Sequence, residues 1–326
     1  MKQIRHINRF IYMKTAFLFR QYTWLVDTIR NARRINLQSL SDKWKETEMS
    51  GGFPLSRTTF NRQRDAVLDM FGLVIDCQRK GGNTYYILNE YELQKESVRS
   101  WMYSTLSLST LLGDRKRLFN RILMERIPSA DTFLRHILQA MYDNRQIFFV
   151  YKRYEADKAR DFTGCPYCLK LFDRRWYVAM ATVKDGVVRS TPAVFSLDRI
   201  KHLELLPDKF KMPDDFDAEE FFYESFGVVV GDGTPPTTIR LRAFGRERFG
   251  MHDLPIHPSQ VQIAEGPDFI DYEVYLRPTS DFKAYCASKG QWLVVLSPQS
   301  LAEDVMSIHQ ESLDKYKSLL EINTQY

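Results

Sequence analysis

Cysteine is scarce, with four residues in 326. That is too few for a disulfide framework, and the chain reads as a protein of the reduced cytoplasm. Long apolar runs are missing too. Stretches such as Ile147 to Tyr151 and Val228 to Val230 fall far short of the ~20 residues a bilayer span needs. The opening MKQIRHINRF has no continuous apolar stretch of the kind a secretory leader carries. Enzyme signatures are equally absent: there is no HExxH, GxSxG, Walker loop or GxGxxG, and Gly227, Gly231 and Gly233 have the wrong spacing. The six histidines are scattered, and His252 with His257 has no accompanying cysteines for zinc. No internal repeat or low-complexity tract is evident. The expectation is therefore no catalytic constellation, no metal and no cofactor.

What is present is an ordinary globular composition: 44% apolar, 13% aromatic and 27% charged residues. The net charge of +5 is unevenly spread. Residues 1–145 carry 24 Lys and Arg against 14 Asp and Glu, a balance of +10, whereas residues 146–326 carry 22 against 27, a balance of −5. A basic domain fused to a mildly acidic one points to a polyanionic partner for the first part alone.

In that first part Leu18, Tyr22, Leu25, Val26 and Ile29 recur at helical spacing and predict a helix over about 14–33. Asn36 caps a second helix with Leu37, Leu40 and Trp44 inside, and Met49 to Pro54 is a breaker cluster. Ser56 caps a third helix with Phe60, Val67, Leu68 and Phe71 inside, and Gly72 ends it. Strands over Leu73 to Cys77 and Thr84 to Leu88 follow, joined by the basic turn Arg79-Lys80-Gly81-Gly82-Asn83. Three helices and a hairpin with a basic tip form a winged helix-turn-helix, whose third helix enters the major groove. The outward face of that helix is Arg57, Thr58, Asn61, Arg62 and Asp65. Arg and Asn suit bidentate contacts to guanine and adenine, and Thr suits the thymine methyl. Arg64, Arg79 and Lys80 are better placed for phosphates. The same elements could instead be a helical hairpin that binds another protein.

Residues 91–145 read as helical, with segments around 93–112 and 129–144. The first is rich in Ser and Thr, which points to burial against a neighbour. Strands then dominate: Gln146 to Tyr154, Phe162 to Phe172, Arg175 to Thr182, Val187 to Phe195 and His202 to Leu206, with Asp173-Arg174 and Lys184-Asp185-Gly186 as turns. Five short strands in about sixty residues suggest a small barrel. Cys165-Pro-Tyr-Cys168 resembles the dithiol of glutaredoxin-like oxidoreductases, and Thr191 to Phe195 resembles their proline-bearing strand. Only 22 residues separate Cys168 from Thr191, too few for the elements such a fold places there. On a strand, residues three apart lie ~10 Å apart, beyond disulfide reach.

Around these cysteines, Pro166-x-x-Leu169, then Arg175-Trp176-Tyr177-Val178, then Phe195-Ser-Leu-Asp198-Arg199-Ile200 resembles the WYL domain family, with Val178 in place of the signature leucine. The winged helix is the usual companion of that domain. Residues from about 237, ending in Gly290 to Pro298 and a last helix, look like the family's C-terminal extension. The resemblance implies a ligand-responsive, DNA-binding bacterial transcription factor, read here as a cytoplasmic homodimeric repressor, of a kind that guards phage-defence or DNA-damage genes. It implies an Sm-like barrel that senses a nucleotide or single-stranded nucleic acid. Carried over, the pocket comprises Tyr151, Arg153, Tyr167, Trp176, Tyr177, Arg189 and Arg199. Aromatic faces can stack on bases while guanidinium groups hold phosphates. Trp176 can equally be core, and Arg199 can simply pair with an acid. The alternatives are a nucleic-acid-binding accessory protein of a defence system without sequence specificity, and a redox enzyme through Cys165 and Cys168.

The C-terminal order of strand, helix, two strands, helix, strand predicts a ferredoxin-like sandwich, with Arg240, Arg242, Arg246 and Arg248 as a basic stripe or as ordinary surface charge. The fold class is thus α+β and multidomain: a winged helix-turn-helix over 1–90, a helical linker over 91–145, an Sm/SH3-like WYL barrel over 146–207, a linker over 208–236 and a ferredoxin-like domain over 237–326. The expected partners are double-stranded operator DNA with two-fold symmetry, a nucleotide-type effector and a second copy of the chain, with no membrane.

Overall fold

The structure, a computed structural model, describes residues 2–80, 82–95, 97–113, 121, 133–154 and 156–323, with 2–16, 111–113 and 321–323 described by backbone alone. Gly81 of the wing turn and residues 129–132 of the expected second linker helix lie outside them. The chain divides into two compact units, Met1–Met124 and Glu125–Tyr326. The architecture is α+β and multidomain.

The first unit opens with α1 (Lys2–Ala32), longer than its apolar periodicity indicated, then β1 (Ile35–Asn36) and α2 (Leu37–Lys45). Asn36 caps α2 by accepting a hydrogen bond from Ser39 N at 2.8 Å. Next come α3 (Arg57–Phe71), β2 (Ile75–Gln78), β3 (Thr84–Ile87) and α4 (Val98–Gly113). Ser56 accepts from Thr59 N at 3.1 Å, and Gly72 closes α3 at φ +68°, a conformation only glycine adopts without strain. The three strands form an antiparallel sheet in the order β1-β3-β2, completing the winged helix. Leu25, Val26, Ile29, Leu40, Phe60, Val67 and Leu73 are fully buried in one core.

Leu68, expected inside, is exposed. The inner stripe of α3 runs Phe60, Gln63, Val67, Phe71, and Leu68 sits one residue, about 100°, off it. Gln63 occupies the inner position, where its Nε2 donates to Gln21 Oε1 at 3.1 Å while its own Oε1 is buried without a hydrogen-bond partner. The Ser and Thr of α4 have a similar explanation. Tyr103 and Ser107 both donate to the Asp27 carboxylate of α1, the second at 2.9 Å, and Thr110 bonds Thr23 at 3.2 Å.

The second unit begins with α5 (Leu134–Asp143), whose Ile137 and Ala140 are buried against the following sheet. That sheet comprises β4 (Arg145–Tyr151), β5 (Arg160–Phe172), β6 (Arg175–Lys184), β7 (Val187–Val188), β8 (Ala193–Ser196) and β9 (Ile200–Lys209). The path is β7-β6-β5-β4-β9, with β8 also on β6. Three residues, Leu197–Arg199, join β8 to β9, so the two edges of the path are tethered and the sheet curls into a small barrel around Phe149, Phe162 and Phe195. The expected strand from Val187 to Phe195 is split, because Pro192 has no N–H to give a ladder. Asp173-Arg174, at φ +44° and +62°, and Asp185-Gly186, at +52° and +76°, are the left-handed pairs that turn tight hairpins.

A connecting segment carries α6 (Ala218–Tyr223), capped by Asp217 on Glu220 N at 2.8 Å. Its Phe222 packs over Cys168 and Ala179. Then follow β10 (Thr237–Phe244), α7 (Glu247–Asp253), β11 (Val261–Glu265), β12 (Phe269–Leu276), α8 (Ser280–Ser288), β13 (Leu293–Ser297) and α9 (Gln299–Asn323). The antiparallel order β11-β12-β10-β13 is the ferredoxin-like sandwich. Three of the four arginines of the stripe are engaged. Arg240 pairs with Glu273 at 3.1 Å, Arg242 grips Asp271 at 2.7 and 2.8 Å, and Arg248 donates to Pro267 O at 2.8 Å.

Candidate nucleic-acid interface and ligand cleft

In the first unit, burying Phe60, Gln63, Val67 and Phe71 leaves Arg57, Thr58, Asn61, Arg62 and Asp65 exposed together on the N-terminal half of α3. Arg64 is half-buried beside them, and Arg79 and Lys80 are exposed at the wing tip. The wing root is fixed to the end of α3 by one side chain. Asn89 donates to Gly72 O and accepts from Val74 N, both at 2.8 Å. Arg34 steadies the outer wing, donating to Gln78 and lying 5.6 Å from the Tyr86 ring centre. The helix and the hairpin are thus held in one geometry.

In the second unit, a cleft of about 1110 Å³ opens at one end of the barrel. Its walls are the end of β4, the loop that follows, the start of β5, the end of β6 and the turn from β8 to β9. Of the seven residues expected at a ligand site, Tyr151, Arg153, Arg189 and Arg199 line it. Lys158, Arg160 and Lys184 line it as well, giving six cations against the carboxylates of Asp161 and Asp185. The expectation from sequence left out these three cations and Tyr154, an exposed aromatic wall residue. The run Tyr151-Lys152-Arg153-Tyr154, two aromatics bracketing two cations, is the signal that points to Tyr154.

Tyr151 and Arg199 are tied to the scaffold. Tyr151 is buried edge-on against Phe149 and Phe195, and its hydroxyl meets Ser196 Oγ at 3.3 Å. Arg199 lies over the rings of Tyr151 and Tyr154, at 5.0 and 4.0 Å from their centres, and donates to Lys152 O at 3.1 Å. Asp198 faces Arg175 at 3.7 Å, and Arg175 also donates to Tyr154. The three residues Asp198-Arg199-Ile200 therefore bind the closing turn to β6 and β4, while Ile200 is buried in the core. Arg199 thus sits against both rings, nearer to Tyr154, and Tyr154 still keeps most of its surface exposed.

The other three expected residues lie elsewhere. Trp176 is half-buried against the barrel core. Tyr177 is on the opposite face of β6, where burial raises its phenol and Arg175 partly offsets this. Tyr167 falls in a β-bulge between Pro166 and Cys168 and packs on Phe216 and Phe210 at 5.1 and 5.9 Å.

Cys165 and Cys168 sit within β5, not at a helix N-terminus, and are buried and free. Burial pushes both thiols up to about 11, opposite to the shift that activates a dithiol. The redox alternative fails on this point. Among the described residues no group of three or more His, Cys, Asp or Glu is placed to hold a metal, and no helix is long and apolar enough to cross a membrane.

Residues 132–205 match the WYL domain family, the segment that forms α5 and the barrel. No curated protein matches the chain. Among solved structures, proteasome accessory factor B/C of Arthrobacter aurescens aligns at 16% identity with a TM-score of 0.35, covering 89% of this chain and 46% of that one. The present chain therefore spans less than half the length of that relative. A CRISPR Cas-related protein aligns at 11% identity with a TM-score of 0.38, covering 93% of this chain and 83% of that one.

Proposed function

Taking the WYL match as the premise, we propose that the chain is a DNA-binding transcriptional regulator whose barrel senses a nucleotide or single-stranded nucleic acid. The observation that carries this reading is the cleft itself: six cations against two carboxylates, with the Tyr154 ring exposed among them. Such a wall suits a backbone of phosphates with at least one stacked base. Its volume slightly exceeds the ~300–1,000 Å³ of ordinary small-molecule sites, which favours more than one nucleotide. Arg57, Asn61 and Arg62 on α3 read base edges, Thr58 meets a thymine methyl, and Arg64, Arg79 and Lys80 hold phosphates. The chain acts as a homodimer on a two-fold site.

Footprinting on duplex enriched from a random pool tests the DNA half. A discrete, two-fold-symmetric protected site supports regulation. Uniform affinity across sequences supports instead an accessory protein that coats nucleic acid. The sign of the ligand's effect on operator affinity then gives the direction of regulation, repression relieved by ligand being the expected one.

A further inference from the structure

Phe53 is 75% exposed, and the turn that carries it is rigid. Ser50 is buried and its Oγ accepts from Gly52 N at 2.9 Å, while Phe53 N donates to Ser50 O at 3.1 Å. Gly51 and Gly52 stand at φ +57° and +84°, and Pro54 follows. Leu55 is then buried, its N–H donating to Ser41 Oγ at 3.0 Å. The chain is therefore pinned on both sides of an aromatic ring held out in water. Gly51 is the near neighbour: a Cβ there would stand 3.7 Å from Phe53 Cδ2. A ring kept this way contributes nothing to the core of the first unit.

Its place in the fold supplies the occupant. Phe53 lies three residues before the Ser56 cap, at the same end of α3 as the exposed Arg57, Thr58 and Asn61. An apolar ring beside donors that suit base edges matches the single apolar group on the major-groove floor, the thymine 5-methyl. We propose that Phe53 is a specificity-determining residue that packs on a thymine methyl next to the bases met by α3. The inference rests on the DNA-binding reading given above.

The test uses the full chain and duplexes enriched by it from a random pool, in which each dT is replaced singly by dU to delete one methyl. At one position per half-site, dU is expected to weaken wild-type binding about fourfold, the value of one buried methyl. Phe53→Ala should weaken binding to the unmodified duplex about tenfold and make that dU position silent. Arg62→Ala, run beside it, should keep the dU effect. Wild-type affinity in Phe53→Ala, or a dU profile identical in the two proteins, overturns the assignment while leaving the DNA reading intact. Loss of sequence preference in no variant, Arg62→Ala included, means that α3 does not read DNA and overturns both.

Discussion

At the scale of single residues, the proposed function divides the work of binding between the exposed face of α3 and the wing tip. Arg62→Ala should relax discrimination at the base pair it meets, at a cost of roughly 1–3 kcal/mol at the preferred site. Lys80→Ala should weaken all duplexes alike and reduce the slope of log affinity against log salt by about one counterion. Titrations at several salt concentrations check both, and identical behaviour of the two variants contradicts the assignment. A second residue prediction concerns His257, which is buried with Nε2 donating to Tyr223 O at 2.6 Å and Nδ1 accepting from Ser259 N at 3.2 Å. Burial, with Lys170 nearby, holds its pKa below the ordinary 6.5. A folded pKa below the unfolded one means that the ring's contribution is full above pH 6.5 and is lost as pH falls below 6.5 and through the lower folded pKa. Thermal unfolding from pH 8 to 5 should therefore show a steeper fall for wild type than for His257→Gln, and equal slopes would contradict this. Much of this scale was legible in advance, because caps, turns and helix faces depend on local chemistry. Tyr167 and Leu68 were not. A one-residue bulge breaks the two-residue alternation at Tyr167, and a buried glutamine pair at Gln63 rotates the stripe that would have covered Leu68.

At the scale of elements, α9 behaves as two helices end to end. Its first turns bury Leu301 and Val305 against the sheet, whereas every residue over 309–320 is exposed. Met306, Leu313 and Leu320 recur at seven-residue spacing, with Tyr316 and Leu319 beside them, all exposed. An exposed helix of a dozen residues is marginal in water, and the seven-residue repeat is the pattern of a paired helix. Leu313→Glu with Leu320→Glu should convert a dimer to a monomer in sedimentation velocity and leave the unfolding of the sandwich unchanged. A dimer of undiminished affinity would place the subunit contact elsewhere. The ferredoxin-like order of strands was legible from the alternation of strands and helices, each helix carrying the chain across one strand to the next position but one in the sheet. The split of the expected strand over Val187 to Phe195 was signalled by Pro192, whose missing N–H outweighs the apolar residues on either side.

At the scale of the whole molecule, the first 145 residues carry a balance of +10 and the remainder −5, yet the acidic part contains the cationic cleft. Bulk charge therefore hides that cleft: Lys158, Arg160, Lys184 and Arg189 come together only because a β4–β5 loop, two strand ends and a hairpin meet at one mouth. Four of the seven site residues expected from sequence line it, and they are those near strand ends. The other three, Tyr167, Trp176 and Tyr177, pack outside it. The proposed function links occupancy of the mouth to operator affinity, which requires a ligand that favours one conformation over another. The most direct measurement is operator affinity with and without a short single-stranded oligonucleotide, in wild type and in Arg160→Glu with Arg189→Glu. These two are chosen over Arg199, whose loss would also loosen the closing turn. The account predicts that the oligonucleotide changes wild-type operator affinity at least tenfold, about 1.4 kcal/mol of coupling, and that the double variant keeps ligand-free affinity while losing the response. An unchanged response in a folded double variant would contradict it.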